Sequence, residues 1–472
     1  MARTFCGALV TALLSLGCSD WLVVPPLNDP APGSGDPATV QVAATGILFQ
    51  DRDPYAGYIS DVGIFGRESY DYFPTDGRTH SHYVAQNPLD LAGFTNGGWT
   101  PRYRNRRNIQ LFLETVDATA AITPAGKEGA RGFAKTMDAL ELSYITAQRH
   151  NYGAIIDINT DPTQLAPFVS RDSVQNYIIA RLDEARTHLV AAGAAFPFTL
   201  SPGFTTDGAF NTPATFLQFN RAIYARVQAW RAALANPACG APPGTTCYTA
   251  ALAALTEAGV DTTASLGRGV YHVYSTASGD ILNGLNTTVD KDLHAHPSIE
   301  TDAPLDTLGQ PDARFRLKTR RLAVAACPVG GAGPAGICTT LDFQIYAANT
   351  TPAPIFRNEE LILLQAEALY FTGNVAGALA DINLIRRRSG GLAARGAFVD
   401  ANDFITELLL QRRYSLLWEG HRWVDVRRFG RIATLPLDAP THFRQVQQPV
   451  PQAECLRREN SAFTCPPVLP AP

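Results

Sequence analysis

The chain has 472 residues, 46% hydrophobic and 17% charged, with a formal net charge of −4 and a pI near 6.1. It is long enough to bury a sizeable core and too apolar for a disordered chain. A protein that mainly grips phosphate backbones carries a basic excess. Here the basic runs at 102–107, 386–388 and 427–431 are short and lie in or beside helical patterns, where solvated faces and ion pairs account for them, so the charge balance argues against a nucleic-acid partner.

The first apolar stretch, residues 5–17, is too short to cross about 30 Å of hydrocarbon as a helix. It follows Arg3 and ends in Ser15-Leu16-Gly17-Cys18, which reads as a secretory signal peptide over 1–17 with Cys18 as the lipid-attachment site. A Pro/Gly-rich run closes a tether over 18–37, and the remainder, 38–472, reads as a single helical domain.

Residues 67–99 gather aromatic and polar side chains among turn residues. Aromatic faces stack on sugar rings or peptide side chains, while Asp, Asn and Arg supply directed hydrogen bonds. The ligand-binding candidates are Tyr70, Tyr72, Arg78, Tyr83 and Asn87. The competing reading is that the tyrosines plug this loop onto the helical body. Trp99, just ahead of a helical pattern over 103–113, belongs to the core.

Helical periodicity then dominates, with apolar stripes over 130–150 and 172–189. Thr212-Pro213 is a helix-start signal for a stripe running from Phe216 to Trp230, and 249–258 is its neighbour. Residues 259–354 are loop-rich, with strand-like runs at 269–274 and 341–347. Helices return from 357, punctuated by Gly373, Gly390 and Gly420, with Asp403 as a cap of the third. The pattern predicts a mostly α fold of tetratricopeptide-like helix pairs, a loop-rich insertion and a few short strands.

Of eight cysteines, Cys6 leaves with the signal peptide and Cys18 takes the lipid. The other six form three close pairs, Cys239/Cys247, Cys327/Cys338 and Cys455/Cys465. Neighbour pairing is the simplest of the possible disulfide connectivities; zinc is the rival, but zinc-finger spacing is missing. No serine-nucleophile elbow or phosphate-binding Gly-Lys loop is present. The histidines of His80-Ser81-His82 and His294-Ala295-His296 read as surface side chains for want of a third ligand. Glu359, Glu360, Glu367, Glu419 and Asp425 sit among Arg412, Arg413, Arg422, Arg427 and Arg428, so helix-linking ion pairs are the reading for them. A glycosidase would need two carboxyls facing a cleft about 5–9.5 Å apart.

The stretches Phe356-Arg357-Asn358-Glu359-Glu360-Leu361, Gln365-Ala366-Glu367-Ala368 and Ala378-Leu379-Ala380-Asp381-Ile382-Asn383, together with Trp418-Glu419-Gly420-His421-Arg422-Trp423-Val424-Asp425, resemble the SusD/RagB family. Gln411 and Ser415 depart from the family's glutamates. The start at Cys18-Ser19-Asp20-Trp21-Leu22, the stretches 99–108, 130–153 and 177–189, and the closing segment around 451–460 are also similar. The resemblance implies a lipid-anchored, surface-exposed outer-membrane protein that caps a SusC-like TonB-dependent transporter and binds a glycan or peptide without cleaving it. It implies no catalytic residue, and its motifs lie in the scaffold, so no ligand residue carries over; the sequence itself offers no cofactor motif or metal-ligand cluster, and leaves calcium open. Two other readings are a tetratricopeptide-type scaffold that binds only protein, and a glycoside hydrolase.

Overall fold

The computed structural model describes residues 36–73, 82–159, 164–287, 292–327, 338–459 and 461–471. The signal peptide, Cys18, nearly all of the tether, His80 and Arg78 lie outside them.

About half of the chain is helical. The longer helices are α1 (Pro37–Arg52), α2 (Tyr55–Phe65), α3 (Trp99–Ala118), α4 (Pro124–Arg149), α5 (Arg171–Ala191), α6 (Pro213–Ala233), α7 (Thr245–Glu257), α8 (Asn358–Phe371), α9 (Val375–Arg388), α10 (Ala401–Ser415) and α11 (Arg422–Arg428). Side-chain oxygens cap several starts: Asp36 accepts from Thr39 N at 2.7 Å, Thr123 from Gly126 N at 3.1 Å, and Thr212 and Thr215 form a reciprocal box. Helix begins at Pro37, where the Pro/Gly-rich run ends. Pro37 opens α1, where a missing N–H forfeits no hydrogen bond. The start of α10 also shifts: Asp400 is the cap, accepting from Asp403 N at 2.8 Å, and Asp403 sits in the first turn.

Packing runs in chain order, α3 on α4, α4 on α5, α5 on α6, α6 on α7, and α8 on both α7 and α9, with α1 against α3. These are the anticipated helix pairs. Helix α4 is buried on almost every side from Phe133 to Arg149, which places it at the centre. One extended core runs through the molecule, and a second, smaller one forms between α8, α9 and α10 from Ile362, Ala378, Ile382, Phe404 and Leu408. Helix α2 approaches Trp418 so closely that a Cβ on Gly63 would lie 2.2 Å from the indole, so only glycine fits there.

The strands are short and paired in twos: β1 (Ser69–Asp71) with β5 (Leu293–Ala295), β2 (Ala154–Ile155) with β3 (Phe168–Val169), β4 (Gly269–His272) with β8 (Ala353–Arg357), and β6 (Thr319–Ala326) with β7 (Thr339–Phe343). All four pairings are antiparallel. Both strand-like runs of the loop-rich region are thus strands. Cys239–Cys247, Cys327–Cys338 and Cys455–Cys465 are disulfides, with Cα–Cα distances of 5.0, 4.2 and 5.3 Å.

Buried charge ties the C-terminal helices together. Arg428 Nη2 lies 2.6 Å from Glu367 Oε2, and Arg428 Nε is 3.0 Å from Asp425 Oδ1. Arg412 Nε takes the other Asp425 oxygen at 2.7 Å. Arg226 on α6 grips Glu360 of α8 through two contacts of 2.6 Å, and Arg357 Nη2 meets Glu419 Oε1 at 2.9 Å. Burial alone would raise the Glu360 and Glu359 carboxyls. The charges of Arg226 on the first, and of Arg357 and Lys318 on the second, win and bring both to about 2. Removing one partner leaves an uncompensated buried charge, so urea unfolding of Glu367→Leu is expected to show a loss of about 3–5 kcal/mol. Because the folded carboxyls titrate below their unfolded value of 4.5, their contribution is full above that pH and lost as the pH falls towards 2. Stability measured across that window should decline, and Glu360→Gln should make the decline shallower.

Candidate functional site

The loop after α2 is organised by the C-terminal tail. Arg67 adopts the left-handed conformation (φ 56°), and its buried guanidinium donates to Ile64 O at 3.1 Å and to Phe443 O at 2.8 Å. The chain then enters β1. Tyr70 is completely buried, its hydroxyl donating to Asp438, its ring edge-on to His296 at 5.0 Å. Asp438 also meets His296 Nε2 at 3.1 Å. Burial would raise the Asp438 carboxyl, but the hydrogen bonds from His296 and Tyr70 and the nearby Arg67 charge lower it to about 2. Tyr72 is buried over His294, whose Nδ1 lies 3.1 Å from Asp342 Oδ1. Tyr83 donates to Asp61 Oδ1 at 2.5 Å, while Gln448 Nε2 donates to Asp61 Oδ2 at 2.8 Å. Burial keeps the Asp61 carboxyl up at about 6 against these hydrogen bonds.

These positions correct the sequence-based assignment. Tyr70, Tyr72 and Tyr83 are at most 6% exposed and present no ring face to a ligand, so the core-plug reading of these tyrosines holds. Asn87 is half-buried and spends its Oδ1 on Ala471 N at 2.7 Å. His294 and His296 are interior side chains, not surface ones.

Two other rings of the segment 67–99 do face solvent. Phe73 is 43% exposed and Phe94 48%, and His82 stacks on Phe94 with centroids 5.4 Å apart. Asp71 Oδ1 accepts from Phe73 N at 3.0 Å and fixes the backbone there. Strand alternation carries the signal that would have found Phe73. Tyr70 and Tyr72 share one face of the extended chain, so Asp71 and Phe73 share the other.

The carboxylates weighed for glycoside cleavage lie elsewhere. Glu367 is 0% exposed, Glu419 7% and Asp425 2%, and each is held by an arginine. Among the described residues no cluster of three His, Cys, Asp or Glu side chains could hold a metal ion, and no helix is long and apolar enough to cross a membrane.

Residues 339–460 match the sequence model of the SusD family. No protein with a curated description matches the chain in sequence. Solved structures share the fold over most of its length. A SusD-like protein from Bacteroides fragilis is similar over 92% of this chain and 98% of its own, at 14% identity and a TM-score of 0.65. Surface glycan-binding protein A from Bacteroides thetaiotaomicron, in complex with laminarihexaose, matches 88% of this chain and 97% of its own, at 13% identity and a TM-score of 0.65. Its namesake from Bacteroides uniformis matches 85% and 90%, at 15% identity and a TM-score of 0.63. The C-terminal stretch is thus similar in sequence to the SusD family, and the helical architecture as a whole has the fold of solved SusD-like structures.

Proposed function

We propose that this protein captures a glycan at the bacterial cell surface without cleaving it, held to the outer membrane by lipid on Cys18, and passes the ligand to a SusC-like TonB-dependent transporter. One observation carries the non-catalytic part of this reading: the acidic residues that would serve a hydrolase are consumed in buried ion pairs, whereas the exposed loop face offers aromatic rings. Rings such as Phe73 and Phe94 can stack on the apolar face of a sugar. Support for the ligand class comes from a protein of the same fold in complex with laminarihexaose. A peptide is the alternative ligand. The helix pairs provide the rigid body that docks on the transporter, and the apolar stretch 5–17 followed by Cys18 supports export and lipidation.

Isothermal titration calorimetry against a panel of oligosaccharides and peptides tests the ligand. A member of the panel should bind, and Phe94→Ala or Phe73→Ala should weaken it about tenfold without changing the melting temperature. Tyr70→Ala and Tyr83→Ala should instead destabilise the fold by about 3–5 kcal/mol, as core truncations do. Silence across the panel would favour a scaffold that binds only protein. Release of new reducing ends from a bound oligosaccharide would reverse the non-enzyme assignment. Cys18→Ala should shift the protein from the membrane to the soluble fraction.

A further inference from the structure

A cavity of about 730 Å³ lies between α1, the segment 199–204, and β4 with the chain that follows it to Asp280. Thr45, Thr199 and Ser278 stand exposed around it. Phe49 and Tyr274 form an aromatic wall, with the Arg52 guanidinium 5.3 and 5.6 Å from their centroids. Arg52 is fixed there by Asp280, whose other oxygen accepts from Ser275 Oγ at 2.6 Å.

The residues around this space carry a concentration of unmet hydrogen-bonding capacity. Asp51 Oδ2, Arg52 Nε, His272 Nε2 and Tyr274 Oη are buried atoms that find no hydrogen-bond partner in the protein, and all four residues line this one cavity. Asp51 is 0% exposed, His272 5% and Tyr274 7%. Asp51 Oδ2 and His272 Nε2 stand 3.6 Å apart, beyond hydrogen-bond reach. Buried polar atoms are nearly always satisfied, so several orphans beside one cavity point to groups supplied from outside the chain.

The charge around it is balanced. Arg102 Nη1 lies 2.9 Å from Asp51 Oδ1 and 3.0 Å from Glu141 Oε2, so one guanidinium serves two carboxyls. Burial outweighs Arg102 and raises both the Asp51 and the Glu141 carboxyls, which favours a proton on the pair and offsets the excess of acid over the one guanidinium. The Arg52–Asp280 pair is neutral too.

We infer that this cavity is a second binding site, for a neutral ring bearing several hydroxyls: a free monosaccharide or the end of an oligosaccharide. Side-chain shifts that open these buried atoms to the cavity let its hydroxyls donate to Asp51 Oδ2 and exchange hydrogen bonds with His272, Tyr274 and Arg52 Nε, while its apolar face packs on the aromatic wall. The volume falls within the range of about 300–1,000 Å³ that suits small-molecule sites. Neither Phe73 nor Phe94 lines this cavity, and the inference stands whether or not those rings bind glycan.

The test is saturation-transfer NMR and calorimetry on the full mature protein with glucose, galactose, mannose and xylose, using glucuronate and glucosamine as charged controls. At least one neutral sugar should bind saturably, and at least tenfold more tightly than either charged control. Tyr274→Phe keeps the ring and removes one orphan hydroxyl, so it should weaken binding about tenfold. Thr45→Trp, on an exposed position at the mouth, should abolish it, and Val399→Ala, an exposed side chain outside the cavity, should leave it unchanged. Circular dichroism and the melting temperature establish that each variant is folded. The inference is overturned if no neutral sugar binds saturably, if charged controls bind as well, or if binding ignores both cavity variants. Tyr274→Phe raising the melting temperature with affinity unchanged would also overturn it, since the hydroxyl would then be an unused buried group.

Discussion

A buried arginine must be paired, and this fold is assembled around that requirement. A guanidinium taken out of water incurs a desolvation cost that only close carboxylates and carbonyls repay. Arg226, Arg357, Arg412 and Arg428 each meet it with an acid on a different element, or across a turn on a neighbouring one. Helix α8 is the keystone, since Glu360 faces α6 and Glu367 faces α11. Each pair demands one geometry, so together they fix how the helices sit, and they leave the acidic side chains with nothing to offer a substrate.

The same requirement explains the two departures from the family pattern. Ser415, where the family has glutamate, donates to Glu359 Oε1 at 2.6 Å and accepts from Arg314 Nη1 at 2.9 Å. A carboxylate at that position would set a second negative charge beside Glu359. Gln411 donates to Glu407 Oε1 at 2.7 Å, so a neutral amide again bonds a carboxylate that a glutamate would repel. Both residues therefore serve the helix framework.

Helix existence was legible because its signals are local: Thr212-Pro213 starts α6, and the glycine at 373 ends α8 in the left-handed conformation. The strand at 269–272 and the neighbour-paired disulfides were legible for the same reason. Partners distant in sequence were not. The run 102–107 looked like a solvated face, yet Arg102 and Arg106 point inward to Asp51, Glu141 and Asp138. Tyr70 looked available for a ligand, yet its hydroxyl partner Asp438 comes from the far end of the chain. The aromatic loop was the right neighbourhood for an exposed platform, but which of its rings lie inside depends on a tail that periodicity cannot place.

The molecule thus has two parts: a framework of ion-paired helices, and irregular segments that carry exposed rings such as Phe73 and Phe94. The division can be read directly by hydrogen–deuterium exchange, with and without a saturating oligosaccharide. If recognition lies outside the ion-paired C-terminal helices, amides of α8, α10 and α11 exchange slowest and identically in both states, and added protection falls elsewhere, on segments such as 67–99. Ligand-induced protection spreading over residues 411–428 would contradict it, because the acids there would then be meeting the sugar and not the arginines.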